Sequence, residues 1–186
     1  MQSDKFTALV RNAIGAAQSA ALAANHQKLT AEHVLAALLK DDNMTVKMLL
    51  AKAGADSASL SALLKAGLDK FPSVTGSGAG QLQLDADLAR IFASVEAEAK
   101  ARHDQFIAVD LLLLAMTKST GSVGKILKKA GVEPTPLDAA IDEMRKGRTA
   151  DSDGAEDSYD SLSRYTSDLT EAARNGKLDP VIGRDA

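Results

Sequence analysis

The sequence predicts an all-α protein of two pseudo-symmetric four-helix repeats packed together, followed by a flexible linker and a short helix. Shifted by 77 residues, the chain matches itself from about residue 14 to about residue 64. Apolar residues recur at helical spacing through most of the chain. Alanine and leucine, both of which favour helices, supply most of the apolar content, since aromatic residues make up only 3%.

The internal match is clearest around two recurring features, an apolar helix and a glycine that follows a helix. Residues 29–39 align with residues 106–116, and Gly54 aligns with Gly131 in the same register. His26 falls on His103 in this alignment. A tandem duplication of this kind predicts two similar units with a seam between them, and such a seam is a natural place for a binding surface.

The first repeat is assigned to residues 1–70 and should contain four helices. The apolar stripe of the first helix consists of Phe6, Leu9, Val10, Ala13, Ile14, Ala17, Ala20, Ala21 and Ala24. Thr30 is a suitable N-cap for a second helix that runs through Leu39. A third helix spans about 45–53 and ends at Gly54. The fourth begins near residue 57 and ends before Pro72, because the residue preceding a proline resists the helical conformation.

The second repeat follows a connection, residues 71–84, that is rich in serine and glycine. It is assigned to residues 85–147, with helices over about 85–102, 107–118, 122–130 and 134–147. Gly131 again ends the third helix, and Pro134 stands near the start of the fourth, where proline is tolerated. Ile107 occupies the position of Thr30 but has no side-chain acceptor, so the second copy must begin this helix in a different way.

The character of the chain changes after residue 147. Residues 148–160 carry Asp151, Asp153, Glu156 and Asp157 among small polar residues, which predicts a mobile acidic linker. Residues 161–186 regain helical spacing and then reach an apolar pair that nothing follows to bury. This ending predicts that the sequence is part of a longer protein.

Composition narrows the classes of function. The net charge is -3 and no basic stripe with interleaved aromatic residues is present, which disfavours nucleic-acid binding. The absence of cysteine fits a cytoplasmic location. No signal peptide is visible and no apolar run approaches the roughly 20 residues of a membrane span, so a soluble monomer without a membrane partner is expected.

No catalytic or metal site is predicted. The histidines are His26, His33 and His103, and their spacing gives no metal-binding pair. Gly124-Lys125 is not a phosphate loop, because a helix precedes it and Ile126 stands where serine or threonine is needed. The carboxylate pairs 41/42 and 85/87 sit at helix ends, where dipole and solubility effects explain them.

Residues 162–185 carry a specific likeness. Their sequence, Leu-Ser-Arg-Tyr-Thr-Ser-Asp-Leu-Thr-Glu-Ala-Ala-Arg-Asn-Gly-Lys-Leu-Asp-Pro-Val-Ile-Gly-Arg-Asp, resembles the segment that leads into the first AAA+ module of the Clp/Hsp100 ATPases. The two repeats resemble the N-terminal domain of the same family. The inter-repeat residues 71–78 and the Gly-Ala-Glu-Asp of residues 154–157 are most similar to its disaggregase branch.

This resemblance implies a domain that binds unfolded or aggregated polypeptides and passes them to a hexameric ATPase ring working with the Hsp70 system. ATP and Mg²⁺ would belong to the full-length parent, in which Val181, Ile182 and Gly183 contact the nucleotide, while the present chain would have no cofactor and no catalytic residue. One alternative is an adaptor-docking domain of the protease-linked branch. A stand-alone enzyme is the third hypothesis, and the missing nucleophile and phosphate loop disfavour it.

The resemblance also suggests a substrate-facing site. It implies that Thr7, Asp104 and Asp110 lie on that side, although helix decoration, a loop position and first-turn placement explain the same three residues equally well. Apolar contacts to the client are expected from Phe6, Val10, Leu88 and Phe92.

Overall fold

The computed structural model describes residues 3–40, 44–76 and 80–159. After a short 3₁₀ turn at Ser3–Lys5, the elements of the first repeat are α1 Ala8–Ala23, β1 Lys28–Leu29, α2 Ala31–Lys40, α3 Met44–Lys52 and α4 Ser57–Leu68. Those of the second are β2 Gln83–Leu84, α5 Ala86–Ala101, α6 Val109–Lys118, α7 Ser122–Lys129 and α8 Pro134–Arg145. The predicted all-α class with two four-helix repeats is confirmed.

Side-chain caps explain where several helices begin. The Thr7 hydroxyl accepts the backbone N–H of Val10 at the start of α1, at 3.5 Å. The Asp56 carboxylate accepts two backbone N–H groups at the start of α4, and the Asp85 carboxylate accepts one at the start of α5. Each cap satisfies backbone donors that the first turn of a helix leaves without a partner.

The structure corrects the register of the repeat. Thr7 and Asp85 are equivalent caps, and Asn25 and His103 are equivalent left-handed residues, with φ of 56° and 62°. These pairs are 78 residues apart, so His103 corresponds to Asn25 and Ala108 corresponds to Thr30. The offset of 77 holds only from the end of α3 onward, because α3 has nine residues and α7 has eight. A leucine-rich helix matches itself almost as well after a slip of one residue, which hid the change from the sequence comparison.

The two repeats interlock through their third and fourth helices. Helix α3 packs against α8 of the other repeat, and α4 packs against α7. The equivalent residues Gly54 and Gly131 meet between these pairs, both with φ of +87°, and a Cβ on Gly131 would lie 3.2 Å from the carbonyl oxygen of Gly54. The backbone conformation favours glycine at both positions, and at Gly131 the close approach also leaves little room for a side chain.

Short parallel pairings, which the sequence did not predict, also join the repeats. Strand β1 pairs with β2, and Phe6 pairs with Ile107 in the equivalent place on the other side. In each case the residues before the first helix of one repeat lie beside the residues before the second helix of the other. Strands of two residues are too short to give a recognisable alternation of polar and apolar positions.

The core centres on α6. Residues 111–114 and Met116 are fully buried, and helices α3, α5, α7 and α8 pack around them. A helix that is apolar on every side is typical of the centre of a protein, and the apolar run in the sequence reflects this position.

The predicted mobile linker is corrected by the structure as far as residue 159. Residues 148–159, called the strap below, pack against the second repeat, and residues 155–159 are helical. Ala150, Ala155 and Tyr159 are buried in a small cluster with Ala108. The acidic composition concealed three apolar anchors that are enough to hold the segment in place. The predicted short helix of residues 161–186 lies outside the described residues.

Candidate functional site

The three predicted polar site residues lie close together, at the start of α1 and around the start of α6. Thr7 caps α1, Asp104 follows the end of α5, and Asp110 stands in the first turn of α6. Thr7 and Asp110 are fully buried, and the side chain of Asp104 is also inaccessible. Each of the three contacts either the strap or Arg145, and none of them presents its side chain to solvent.

Arg145 is the centre of this polar cluster. Its guanidinium donates to both carboxylates, with Nε 2.6 Å from the Oδ2 of Asp110 and Nη1 2.8 Å from the Oδ2 of Asp104. Burial disfavours its charged form, but the hydrogen bonds to Asp110 and Asp104 and the charge of Asp110 outweigh this and raise the pKa of Arg145. Asp104 also accepts the backbone N–H of Ala150 at 2.9 Å, and the guanidinium carbon lies 5.5 Å from the centre of the Tyr159 ring. The cluster therefore fastens the strap to the second repeat.

Glu156 also holds the strap in place, and it provides an acceptor at the start of α6, where the second repeat has no counterpart of Thr30. Its Oε1 accepts the backbone N–H of Val109, the first residue of α6, at 3.0 Å, and the hydroxyl of Thr7 at 2.6 Å. Burial raises the pKa of Glu156, while the bonds from Thr7 and Val109 act in the opposite direction. The capping group of α6 thus comes from a residue 47 positions later in the chain.

Sequence analysis missed Arg145, Asp153, Glu156 and Tyr159. The motif that contains Glu156 was recognised only as part of a linker. One signal was available, because Ala155 and Tyr159 are four residues apart and lie on one face of a helical turn. Acidic residues such as Glu156 are usually solvated, and this general rule favoured a mobile linker over a helical turn.

The predicted apolar contacts divide into two groups. Val10 and Leu88 are fully buried core residues and cannot line a surface in this structure. Phe6 and Phe92 contact each other, with ring centres 5.5 Å apart, and together they border an open groove of about 390 Å³. The aromatic groove, as we call it, is lined by Lys5, Phe6, Ala89, Phe92, Ala93, Glu96 and Ile107.

The aromatic groove lies where elements of both repeats meet. Lys5 and Phe6 come from the segment before α1, whereas the other lining residues come from α5 and from the residue pair before α6. Ala89 and Ala93 are exposed on α5, and an ion pair of 2.8 Å between Lys5 and Glu96 borders the apolar surface. Such a site offers apolar contact area with few polar groups to fix one particular ligand.

A second groove of about 510 Å³ lies at the seam between α4 and α7, and its lining is both apolar and charged. Leu63, Ala66, Phe71 and Ile126 supply apolar surface. Three lysines and three acids contribute to its lining, namely Lys70, Lys125, Lys129, Glu32, Asp85 and Asp87. Gly124 and Lys125, which the sequence comparison rejected as a phosphate loop, lie within helix α7. This charged groove, as we call it, suits a partner surface that combines apolar and charged groups.

The first repeat contains a pair of neighbouring histidines, His26 and His33. The Nδ1 of His33 accepts the backbone N–H of Thr30 at 3.2 Å, which places the proton of this ring on Nε2. That nitrogen lies 2.8 Å from the Nδ1 of His26, so His33 donates to its neighbour. Phe71 stacks on the His33 ring, with 5.7 Å between ring centres. The arrangement is satisfied only when both imidazoles are neutral.

This geometry predicts a loss of stability in mild acid. Burial lowers the pKa of His33, and the nearby His26 lowers it further. As the pH falls below about 6.5, the unfolded chain takes up a proton that the folded chain resists, so the free energy of unfolding should fall by up to about 1.4 kcal/mol per pH unit. Urea denaturation about one pH unit above and below that value measures the change.

The control for the histidine prediction is the exposed His103. His33→Gln should flatten the pH dependence, whereas His103→Asn, which places at this left-handed position the residue that its equivalent Asn25 already has, should leave it unchanged. A profile that stays steep in His33→Gln would contradict the assignment of this dependence to His33.

Two further searches cover only the described ranges. Within residues 3–40, 44–76 and 80–159, no group of three histidine, cysteine, aspartate or glutamate side chains is placed to hold a metal ion. None of the helices in the same ranges is both long enough and apolar enough to cross a membrane. Val181, Ile182 and Gly183, which the resemblance connects with nucleotide, lie outside the described residues.

The family model described as the Clp repeat (R) N-terminal domain matches residues 5–130. The chain belongs to this family. Its match covers both repeats as far as the end of α7, in agreement with the duplicated architecture.

Curated relatives extend the likeness to the strap and beyond. The chain is 47% identical over 186 residues to the chaperone protein ClpB of Rhizobium meliloti, and 37% identical over 185 residues to that of Rickettsia typhi. Each alignment covers 100% of this member of the Clp N-terminal family but only 21% and 22% of the relative. The chain therefore spans about a fifth of the length of these relatives.

Solved structures support the fold. The N-terminal domain of Hsp104 from Candida albicans superposes with a TM-score of 0.72 at 22% identity, covering 82% of this chain and 99% of that one. The N-terminal domain of the ClpV1 ATPase of an E. coli type VI secretion system gives a TM-score of 0.63 at 21% identity, covering 73% and 83%. The predicted membership of the Clp/Hsp100 N-terminal domains, in its ClpB branch, is confirmed by the sequence relatives.

Proposed function

We propose that this domain binds exposed apolar segments of unfolded or aggregated polypeptides in the aromatic groove. The observation that carries the proposal is an open groove where the two repeats meet. It is lined by the 3–5% exposed side chains of Phe6, Phe92 and Ile107 and by the exposed Ala89 and Ala93. Its volume of about 390 Å³ accommodates a few apolar side chains of an extended client. The family relationship to ClpB chaperones supports this use of the surface.

The groove suits weak and tolerant binding. Few polar groups fix the ligand, so many apolar sequences fit, and affinities near micromolar or weaker, about -8 kcal/mol or less favourable, are expected. Weak binding allows the client to leave when it is passed on. In a longer protein of the ClpB type, the receiver would be the hexameric ATPase ring that acts with the Hsp70 system, and ATP and Mg²⁺ would act there. This domain would perform no chemical step itself.

Filling the groove tests the proposal. Ala93→Trp places a large side chain in the groove from an exposed position on α5, so the fold should be retained while client binding is blocked. The affinity for a fluorescein-labelled dodecapeptide of alternating leucine and serine should fall by about tenfold or more in fluorescence anisotropy. Ala97→Trp is the matched control, because this alanine is exposed on the same helix and does not line the groove.

Two outcomes would count against client binding in this groove. Equal peptide affinity in Ala93→Trp and the wild-type chain would place the client elsewhere. Equal losses in Ala93→Trp and Ala97→Trp would indicate a general effect of the added indole. Perturbed amide resonances in a titration should likewise cluster at Phe6, Phe92 and Ile107.

The second candidate function is docking of a folded adaptor, and the charged groove favours it. Three lysines and three acids around one concave surface suit a complementary polar surface. A pull-down that recovers one folded partner in stoichiometric amount, and that Lys129→Glu abolishes while Ala93→Trp does not, would favour this function over client binding.

A further inference from the structure

We propose that Glu156 is a positioning residue for the aromatic groove, holding the starts of α1 and α6 together and with them the Phe6 and Ile107 wall. The inference rests on the proposed function of that groove. It also gives the strap a role, because this segment would then set the shape of the surface that receives the client.

One carboxylate oxygen connects two helix N-termini. The side chain of Glu156 belongs to a residue that is only 4% exposed, and its Oε1 accepts from both Thr7, the cap of α1, and Val109, the first residue of α6. The residue before α6 is Ala108, which offers no side-chain cap. Glu156 therefore accepts the N–H of the first residue of α6, while Asp110 accepts that of Leu111 in the same turn, and a negative charge at this helix start is also favoured by the helix dipole.

Residues immediately before the two helix starts line the groove. Phe6 precedes Thr7, and Ile107 lies two residues before Val109. Their backbones are paired, because the N–H of Ile107 donates to the carbonyl of Lys5 at 2.7 Å and the N–H of Thr7 donates to the carbonyl of Ile107 at 3.1 Å. A shift of either helix start therefore moves a side chain that lines the groove.

Asp153 of the strap also binds the start of α1, through Ala8 and Arg11. Its carboxylate forms two bonds with Arg11, of 2.8 and 3.0 Å, and its carbonyl accepts the N–H of Ala8 at 3.0 Å. Arg11 in turn donates to the carbonyl of Phe6. The Arg11–Asp153 bonds are exposed to solvent and should contribute less than the buried bonds of Glu156.

The two possible replacements of Glu156 should behave differently. Glutamine keeps a carbonyl oxygen that can accept from Thr7 and Val109, whereas alanine leaves both donors buried without an acceptor. The expected pattern is loss in Glu156→Ala and recovery in Glu156→Gln. Asp157→Ala is the matched control, since Asp157 is the next residue of the same helical turn and its side chain is exposed.

The test measures peptide affinity and amide hydrogen exchange on the full 186-residue chain. In Glu156→Ala, the affinity for the labelled leucine–serine dodecapeptide should fall about tenfold, and exchange at the amides of Thr7, Ile107 and Val109 should accelerate. Glu156→Gln and Asp157→Ala should resemble the wild-type chain in both measurements. Amides of α3, far along the chain, report whether the fold is retained.

The possible outcomes distinguish failure of this inference from failure of the proposed client binding. If the wild-type chain does not bind the peptide, the proposed function fails and this inference fails with it. If the wild-type chain binds and Glu156→Ala binds equally well, only the inference is overturned. Should Glu156→Ala unfold, Thr7→Val removes the same bond from its other end, and unchanged affinity in that variant would overturn the inference as well.

Discussion

Replacing Arg145 by alanine should lower the free energy of unfolding by about 3–5 kcal/mol. The substitution leaves the carboxylates of Asp104 and Asp110 buried without their cation, and both side chains are 0% exposed. An uncompensated buried charge is among the most destabilising changes that a folded protein can undergo. Because domains of this size are stable by only about 5–15 kcal/mol, urea denaturation followed by far-ultraviolet circular dichroism should show a large shift in midpoint.

Arg148 provides the control for this prediction. It is an exposed arginine three residues further along, and its guanidinium donates to the carbonyl of Ser158, so Arg148→Ala should change stability by no more than about 0.5 kcal/mol. Combining Arg145→Met with Asp104→Asn and Asp110→Asn removes all three charges and should recover part of the loss. A loss below about 1 kcal/mol in Arg145→Ala, typical of an exposed pair, would contradict a buried ion cluster at this site.

The repeats could be predicted because their signals are local. Helical spacing, the glycines at positions 54 and 131 and the proline at position 134 act within a few residues of where they stand in the sequence. The structure reproduces the resulting elements with boundaries shifted by only a few residues. The repeat register failed where a leucine-rich stretch offered no local landmark, since the equivalence of Asn25 and His103 appears only in backbone angles.

The polar cluster could not be predicted for a different reason. Arg145 is 35 positions from Asp110 and 41 from Asp104 in sequence, and their meeting depends on how α5, α6 and α8 pack. A carboxylate in a serine- and glycine-rich segment looks like a solvated charge until the fold shows a helix start without a cap beside it. Glu156 is an example. The sequence indicates that α6 lacks a capping residue of its own, but the pattern around Glu156 predicts a mobile linker and not the missing acceptor.

The resemblance places Thr7, Asp104 and Asp110 on the substrate-facing side, and the structure gives each of them a polar partner within the protein. Thr7 binds Glu156, while Asp104 and Asp110 bind Arg145, so each one holds the strap or its anchor. Their effect on a client would then be indirect, through the position of the neighbouring groove wall. Among the seven residues that the resemblance connects with the client, Phe6 and Phe92 line the aromatic groove.

Leu88→Ala should lower the free energy of unfolding by about 2–5 kcal/mol without weakening client binding by the molecules that remain folded. Leu88 is 0% exposed in the first turn of α5, so alanine leaves a cavity rather than an altered surface. Leu84→Ala is the control, because Leu84 is 48% exposed and its truncation should cost no more than about 0.5 kcal/mol. Urea denaturation gives the stability, and peptide anisotropy under conditions where both variants are folded gives the affinity. Reduced affinity with unchanged stability in Leu88→Ala would mean that this side chain reaches the client, and that α5 presents a different face from the one described.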